Sequence, residues 1–158
     1  MVVKISRKEL ELLGLLRRNA RESLTELSKK THIPISTIYT KLVAYRGKLI
    51  KKHTSLLDFK ALGFHTLVMV FLDCHEPDAV KETLVMSPSV NTVYRLSDEY
   101  RLMFEGIFKH VEDVDKFLEE IEEKHEIIKR KIFYIVKEVQ REQFMAKAPI
   151  ELLEKVVV

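Results

Sequence analysis

Residues 21–45 read RESLTELSKKTHIPISTIYTKLVAY, and their spacing predicts two short helices joined by a tight connection. Ser23 is a good N-cap, because its hydroxyl can accept one of the free amides of a helix start; Glu26, three places on, completes a capping box. Leu24 and Leu27 supply one apolar stripe, which runs out near Thr31. Pro34 suits the start of the next helix, where a residue needs no amide hydrogen. Along that second helix Ile38, Leu42 and Tyr45 fall at i, i+4 and i+7 and share a face. The remaining surface carries Ser36, Thr37, Tyr39, Thr40, Lys41 and Ala44, small or hydrogen-bonding side chains without a carboxylate. An apolar back with such a front suits a helix laid in the major groove of DNA. An αα-hairpin with an ordinary polar surface has the same spacing, so the pattern alone leaves both readings open.

Charge separates them. Residues 1–60 hold 14 Lys or Arg against 5 Asp or Glu, whereas residues 61–158 hold 13 against 19. Counterion release rewards local positive charge, so the first segment is where a phosphate backbone would be met, and the acidic remainder suits another task. The chain as a whole, 158 residues with 46% hydrophobic and 32% charged, is that of a folded protein with one domain or two small ones. No apolar run approaches the roughly 20 residues that cross a bilayer. MVVKISRKEL turns charged too early to read as a signal peptide, and a cytoplasmic location is the default expectation. Cys74 is the single cysteine, which excludes an intrachain disulfide and a cysteine-rich zinc site. Asn and Gln together number only four while Lys, Arg and Glu abound, a thermophile's composition.

Working outward toward the N-terminus, Ser6 and Glu9 make another capping box, with Ile5 and Leu10 placed as a hydrophobic staple. A helix is predicted from about Arg7 to Asn19, burying Leu10, Leu13 and Leu16, with Gly14 marking a close helix crossing. On the other side, Arg46-Gly47-Lys48 ends the third helix and LIKKHTSLLDF reads as extended. Lys48, Lys51 and Lys52 exposed on a short strand pair would form a wing touching phosphates beside the groove, with a basic linker as the alternative.

From Phe64 the pattern changes. HTLVMVFLD is an apolar run of strand composition, and Pro77 opens a helix with Val80 and Leu84 inward. VNTVYRL and YRLMFEGIF are two strands about a turn at Ser97-Asp98-Glu99-Tyr100. Val111, Val114, Leu118 and Ile121 sit at helical spacing, and IIKRKIFYIV is a last strand. The order strand, helix, strand, strand, helix, strand is the ferredoxin-like βαββαβ unit. Its strands are apolar on both sides, and two helices cover only one, so a second copy is expected to cover the other in a two-fold dimer. Residues 141–158 form a C-terminal extension in which Pro149 could open a short helix, PIELLEK.

Other candidates are few. Asp73-Cys74-His75-Glu76 offers metal-type donors, but adjacent strand residues point to opposite faces, so no metal is expected. Glu105, flanked by Phe104 and Gly106, needs a partner such as Lys109, Arg101 or a ligand amine. No phosphate-cradling glycine loop, serine-histidine pair or cofactor fingerprint occurs, so neither a cofactor nor a catalytic residue is assigned.

With SLTELSKKTHIPISTIYTKL as helix-turn-helix and IKKHTSLLDFKALGF as wing and connection, the layout over about residues 5–140 resembles the Lrp/AsnC family of prokaryotic regulators. The resemblance implies an α+β fold: an N-terminal winged helix-turn-helix over residues 1–52, a connection over 53–63, and a ferredoxin-like domain over 64–140 that dimerises and in many members binds an amino acid. It implies double-stranded DNA and a second copy as partners, with higher assembly and a small-molecule effector left open. DNA contacts are expected from Ser36, Thr37, Tyr39, Thr40, Lys41, Arg46, Lys48, Lys51 and Lys52, and effector contacts from Asp98, Tyr100, Arg101 and Glu105. The chain departs from the family where AYRGKL replaces an acidic, glycine-containing stretch. It departs again where Asp98-Glu99-Tyr100-Arg101 replaces the Gly-x-Tyr-Asp turn that lines the effector pocket, so an ordinary amino acid is not the expected ligand. Two rival classes share the architecture. Siroheme decarboxylases have a turn similar to TVYRLSDEYRLMF but rely on nearby histidines, where this chain has Asn91-Thr92-Val93 and Ser97-Asp98. An interaction module that keeps the fold without binding DNA is the other.

Overall fold

The structure, a computed structural model, describes residues 5–146; the helix expected from Pro149 lies outside them. The chain divides into two compact units, one running to Ser55 and resumed from Val139, the other spanning Leu56–Glu138.

The first unit has three helices, α1 (Arg7–Arg18), α2 (Leu24–Thr31) and α3 (Ile35–Tyr45). The α1 capping box forms as read: the Ser6 amide donates to Glu9 Oε2 at 2.8 Å and the Glu9 amide to Ser6 Oγ at 3.4 Å. At α2 only half of it forms. Ser23 Oγ accepts the Glu26 amide at 3.1 Å, but the Glu26 carboxylate turns to Lys29 Nζ at 2.8 Å. Pro34 is the N-cap of α3 rather than its first residue, and its carbonyl accepts the Ile38 amide at 3.0 Å. The α2–α3 turn is held by Thr31, whose buried hydroxyl donates to the Leu27 carbonyl at 2.7 Å, and by His32 in the left-handed region, φ 55°.

Leu12, Leu27, Ile33 and Ile38 form the core of this unit, with Leu15, Leu16, Leu24 and Leu42 packed against it. Leu12 thus takes the place expected of Leu13, which is half-buried. The run Leu12-Leu13-Gly14-Leu15-Leu16 offers apolar stripes in two helical phases, and only packing against α2 and α3 chooses between them.

Two further expectations change. No strand pair forms after α3. The Gly47 amide bonds the Ile50 carbonyl, the Tyr45 carbonyl accepts the amides of Lys48, Leu49 and Ile50, and a single bridge joins Arg46 to Ile50. Residues 51–58 carry no secondary structure and are exposed throughout, including Leu56 and Leu57, so the wing is a tight basic loop followed by an open arm. Gly14, expected at a helix crossing, instead faces the C-terminal segment: a Cβ added there would lie 3.2 Å from the Met145 carbonyl oxygen. Arg17 donates to the Glu142 carboxylate at 2.7 Å and to the Phe144 carbonyl at 3.3 Å, and Arg18 donates to the Ala146 carbonyl at 3.1 Å. Residues 142–146 therefore strap the second half of α1.

The second unit is β1 (Thr66–Cys74), α4 (Pro77–Met86), β2 (Val90–Arg95), β3 (Leu102–Phe108), α5 (Val111–Lys124) and β4 (Ile127–Tyr134). Its sheet has the order β2-β3-β1-β4 with every neighbouring pair antiparallel, the ferredoxin-like topology expected from the element order. Alternation is strict on β1 and β3. Val68, Val70, Leu72, Leu102 and Phe104 are buried with Val80 and Leu84 of α4 and Val114, Leu118 and Ile121 of α5. Val111, first in α5, stays exposed. The residues between them on β1 and β3, Leu67, Met69, Phe71, Met103 and Ile107, line the face opposite α4 and α5 and are half-buried. On that face Phe71 meets Phe133 edge-on, with ring centroids 5.7 Å apart.

Candidate nucleic-acid interface

The outward surface of α3 follows from its inward one. Ile38 and Tyr45 are buried and Leu42 half-buried, which turns Ser36, Tyr39, Thr40, Val43 and Ala44 into solvent. Thr40 Oγ1 donates back to the Ser36 carbonyl at 2.9 Å, and Thr37 is half-buried on the flank. Sequence reasoning passed over Ile35 and Val43, which are 46% and 49% exposed beside Tyr39 at 60%. Their signal was available, since 35, 39 and 43 fall at i, i+4 and i+8 outside the buried face.

Lys41 turns inward. Its Nζ lies 2.7 Å from Glu9 Oε1, with the lysine side chain 33% and the glutamate 14% exposed, and the Tyr45 hydroxyl bonds the same oxygen. Hydrogen bonds from Lys41, from Ser6 and from Tyr45 hold the Glu9 carboxyl down to about 2, against its ordinary 4.5. Burial, and the Glu9 hydrogen bond after it, push the Tyr45 phenol above its ordinary 10. Glu9 therefore fixes the start of α1 and the flank of α3 through one carboxylate. Two other acids of the unit are paired as well, Glu22 with Lys30 and Glu26 with Lys29. Arg46, Lys48, Lys51 and Lys52 are all exposed on the loop and arm that follow α3.

The four effector candidates are not all brought together. Asp98 and Arg101 line an open depression of about 560 Å³ with Asp73, Leu96, Ser97 and Glu99. Arg101 Nε sits 3.7 Å from Asp73 Oδ1. Tyr100 stands edge-on to Phe71, ring centroids 5.8 Å apart, with Lys129 Nζ 5.1 Å from its centroid. Lys129 also holds Glu99 at 2.8 Å, which keeps that carboxyl below its ordinary range. Glu105 lies on the face of the sheet opposite α4 and α5. Its Oε2 accepts Asn91 Nδ2 at 2.8 Å and Thr92 Oγ1 at 3.3 Å, both neutral donors from β2. The β2–β3 register, which sets Thr92 opposite Glu105, is the reason. Cys74 is buried toward the helices, and burial raises its thiol. Among the described residues no group of three or more His, Cys, Asp or Glu could hold a metal, and no helix is long and apolar enough to cross a membrane.

No family model matches the chain. Among curated proteins it is 27% identical over 122 residues to the HTH-type transcriptional regulator FL11 of Pyrococcus horikoshii, an alignment covering 75% of this chain and 81% of that one. It is 28% identical over 121 residues to the HTH-type transcriptional regulator Ptr1 of Methanocaldococcus jannaschii, covering 73% and 80%. Among solved structures, the transcriptional regulator NMB0573 of Neisseria meningitidis, determined as an L-Met complex, superposes with a TM-score of 0.80 at 15% identity, covering 95% of this chain and 99% of that one. An AsnC family regulator of Agrobacterium tumefaciens gives 0.79 at 16%, covering 94% and 99%. The chain is thus similar in sequence to archaeal HTH-type transcriptional regulators, and it shares its fold with AsnC family regulators.

Proposed function

We propose that the chain regulates transcription by binding double-stranded DNA as a homodimer in the cytoplasm. The observation that carries this reading is the outward face of α3, which has no carboxylate and is followed directly by four exposed cations, Arg46, Lys48, Lys51 and Lys52. In this reading α3 lies in the major groove, Ser36, Thr37, Tyr39 and Thr40 meet bases or adjacent phosphates, and the loop and arm hold the backbone. Lys41, also expected at DNA, is paired with Glu9, and this reading gives the contacts to its neighbours instead. The apolar face of the sheet opposite α4 and α5 supports dimerisation through the second unit, which would present two copies of α3 to two half-sites. A small effector, should one act, has the depression at Asp98 and Arg101 as its place. No histidine lines that depression, which speaks against the tetrapyrrole chemistry of the decarboxylases. A gel-shift titration of the full chain with random duplex DNA at low salt tests the proposal. Retarded bands that vanish as salt rises are expected; a chain that leaves every duplex free would be an interaction module instead.

A further inference from the structure

Helix α3, Ile35–Tyr45, contains no Arg, Asn or Gln. Those are the side chains that read guanine and adenine through paired hydrogen bonds in the major groove. Its single cation, Lys41, is held by Glu9. What the helix does present is an apolar line, Ile35, Tyr39 and Val43, each about half exposed. Beside it stands Thr40, whose hydroxyl proton is committed to the Ser36 carbonyl at 2.9 Å, so that its lone pairs and γ-methyl remain for a ligand. One feature of the major groove rewards apolar contact, the 5-methyl group of thymine. Resting on the DNA-binding reading above, we propose that α3 selects its site through thymine methyl groups packed against Ile35, Val43 and the Thr40 methyl. No cation contributes to guanine recognition from this helix. Base preference then depends on methyl contact, while overall affinity comes from the basic loop and arm.

The test starts from duplexes selected by the full chain from a random-sequence library. Each thymine in the selected site is replaced by deoxyuridine, which removes the methyl group and leaves the pairing intact. Binding should weaken about four-fold at each contacted thymine, the effect of one buried methyl. In Val43→Ser the penalty at one of those positions should disappear while the penalties at the other contacted thymines remain. Lys41→Met should leave the selected sequence the same. If the chain binds its selected duplex yet tolerates deoxyuridine at every position, the inference is overturned and the DNA-binding reading survives. If no duplex can be selected, both fail together.

Discussion

Lys41 Nζ lies 2.7 Å from Glu9 Oε1 across 32 positions of sequence, so the one cation of α3 is a tie to α1 rather than a free charge at the surface. The lysines of the arm differ: Lys51 and Lys52 are exposed and have no secondary structure around them.

That contrast gives opposite outcomes for two kinds of lysine. Lys51→Ala or Lys52→Ala should weaken binding to all duplexes alike and flatten the plot of log affinity against log salt by ~0.9 for each phosphate no longer neutralised. Lys41→Ala should leave that slope unchanged and lower the melting temperature of the chain. An unchanged slope in both arm variants would remove the arm from the interface.

Glu9 carries a pH dependence whose sign follows from its lowered carboxyl. The folded group titrates near 2 and an ordinary glutamate at 4.5, so its contribution is complete above pH 4.5 and is lost as pH falls toward 2. At neutral pH the contribution is up to about 3 kcal/mol. Glu9→Gln should melt at a lower temperature than the parent at pH 7, and the gap should close between pH 4.5 and 2. A gap constant over that range would show that hydrogen bonding by the carboxamide already replaces the charge.

What could be read in the sequence was whatever local chemistry decides. The Ser6–Glu9 box, the inward Ile38 and Tyr45 of α3 and the βαββαβ order depend on residues a few places apart, and each stands as read. The choice of Leu12 over Leu13 was not readable, because the run supports both phases and a partner helix decides. Nor was the role of Lys41: its spacing placed it on the polar side of α3, and only the approach of α1 shows that a carboxylate waits there. The strap was the least legible part. Residues 142–146 read EQFMA, which has no periodicity, and they dock chiefly through backbone carbonyls that any sequence could supply.

The strap makes Gly14 a position where the usual expectation for a helix is reduced. Replacing an interior helical glycine by alanine ordinarily stabilises by up to ~1 kcal/mol. Here the added methyl meets the Met145 carbonyl oxygen at 3.2 Å, and Met145 itself has a left-handed φ of 65°, so the strap has little room to give. Gly14→Ala should therefore gain less than that amount or lose stability, and Gly14→Leu should free the strap. Amide hydrogen exchange at Ala146, whose amide bonds the Gln143 carbonyl at 3.1 Å, should quicken in Gly14→Leu and in Arg17→Ala. Exchange as slow as in the parent would mean that the strap holds without α1.

The sheet face opposite α4 and α5 gives the last prediction. Met69 of β1 stands opposite Glu105 of β3 and Phe133 of β4, at the middle of the apolar surface formed by Leu67, Phe71, Met103 and Ile107. Met69→Glu would set a new carboxylate beside that of Glu105 on a surface that dimerisation has to dry, where an added charge is costly. Within one copy the same side chain is only half-buried and can reach solvent, so the unit should still fold. Light scattering should then report a particle of 18.6 kDa in place of twice that mass, with an unchanged far-ultraviolet spectrum. Binding to a duplex with two half-sites should weaken far more than binding to one half-site, because the dimer's second α3 is lost while each α3 surface is untouched. A Met69→Glu chain that remains dimeric would move the interface away from this face and leave its apolar residues to another partner.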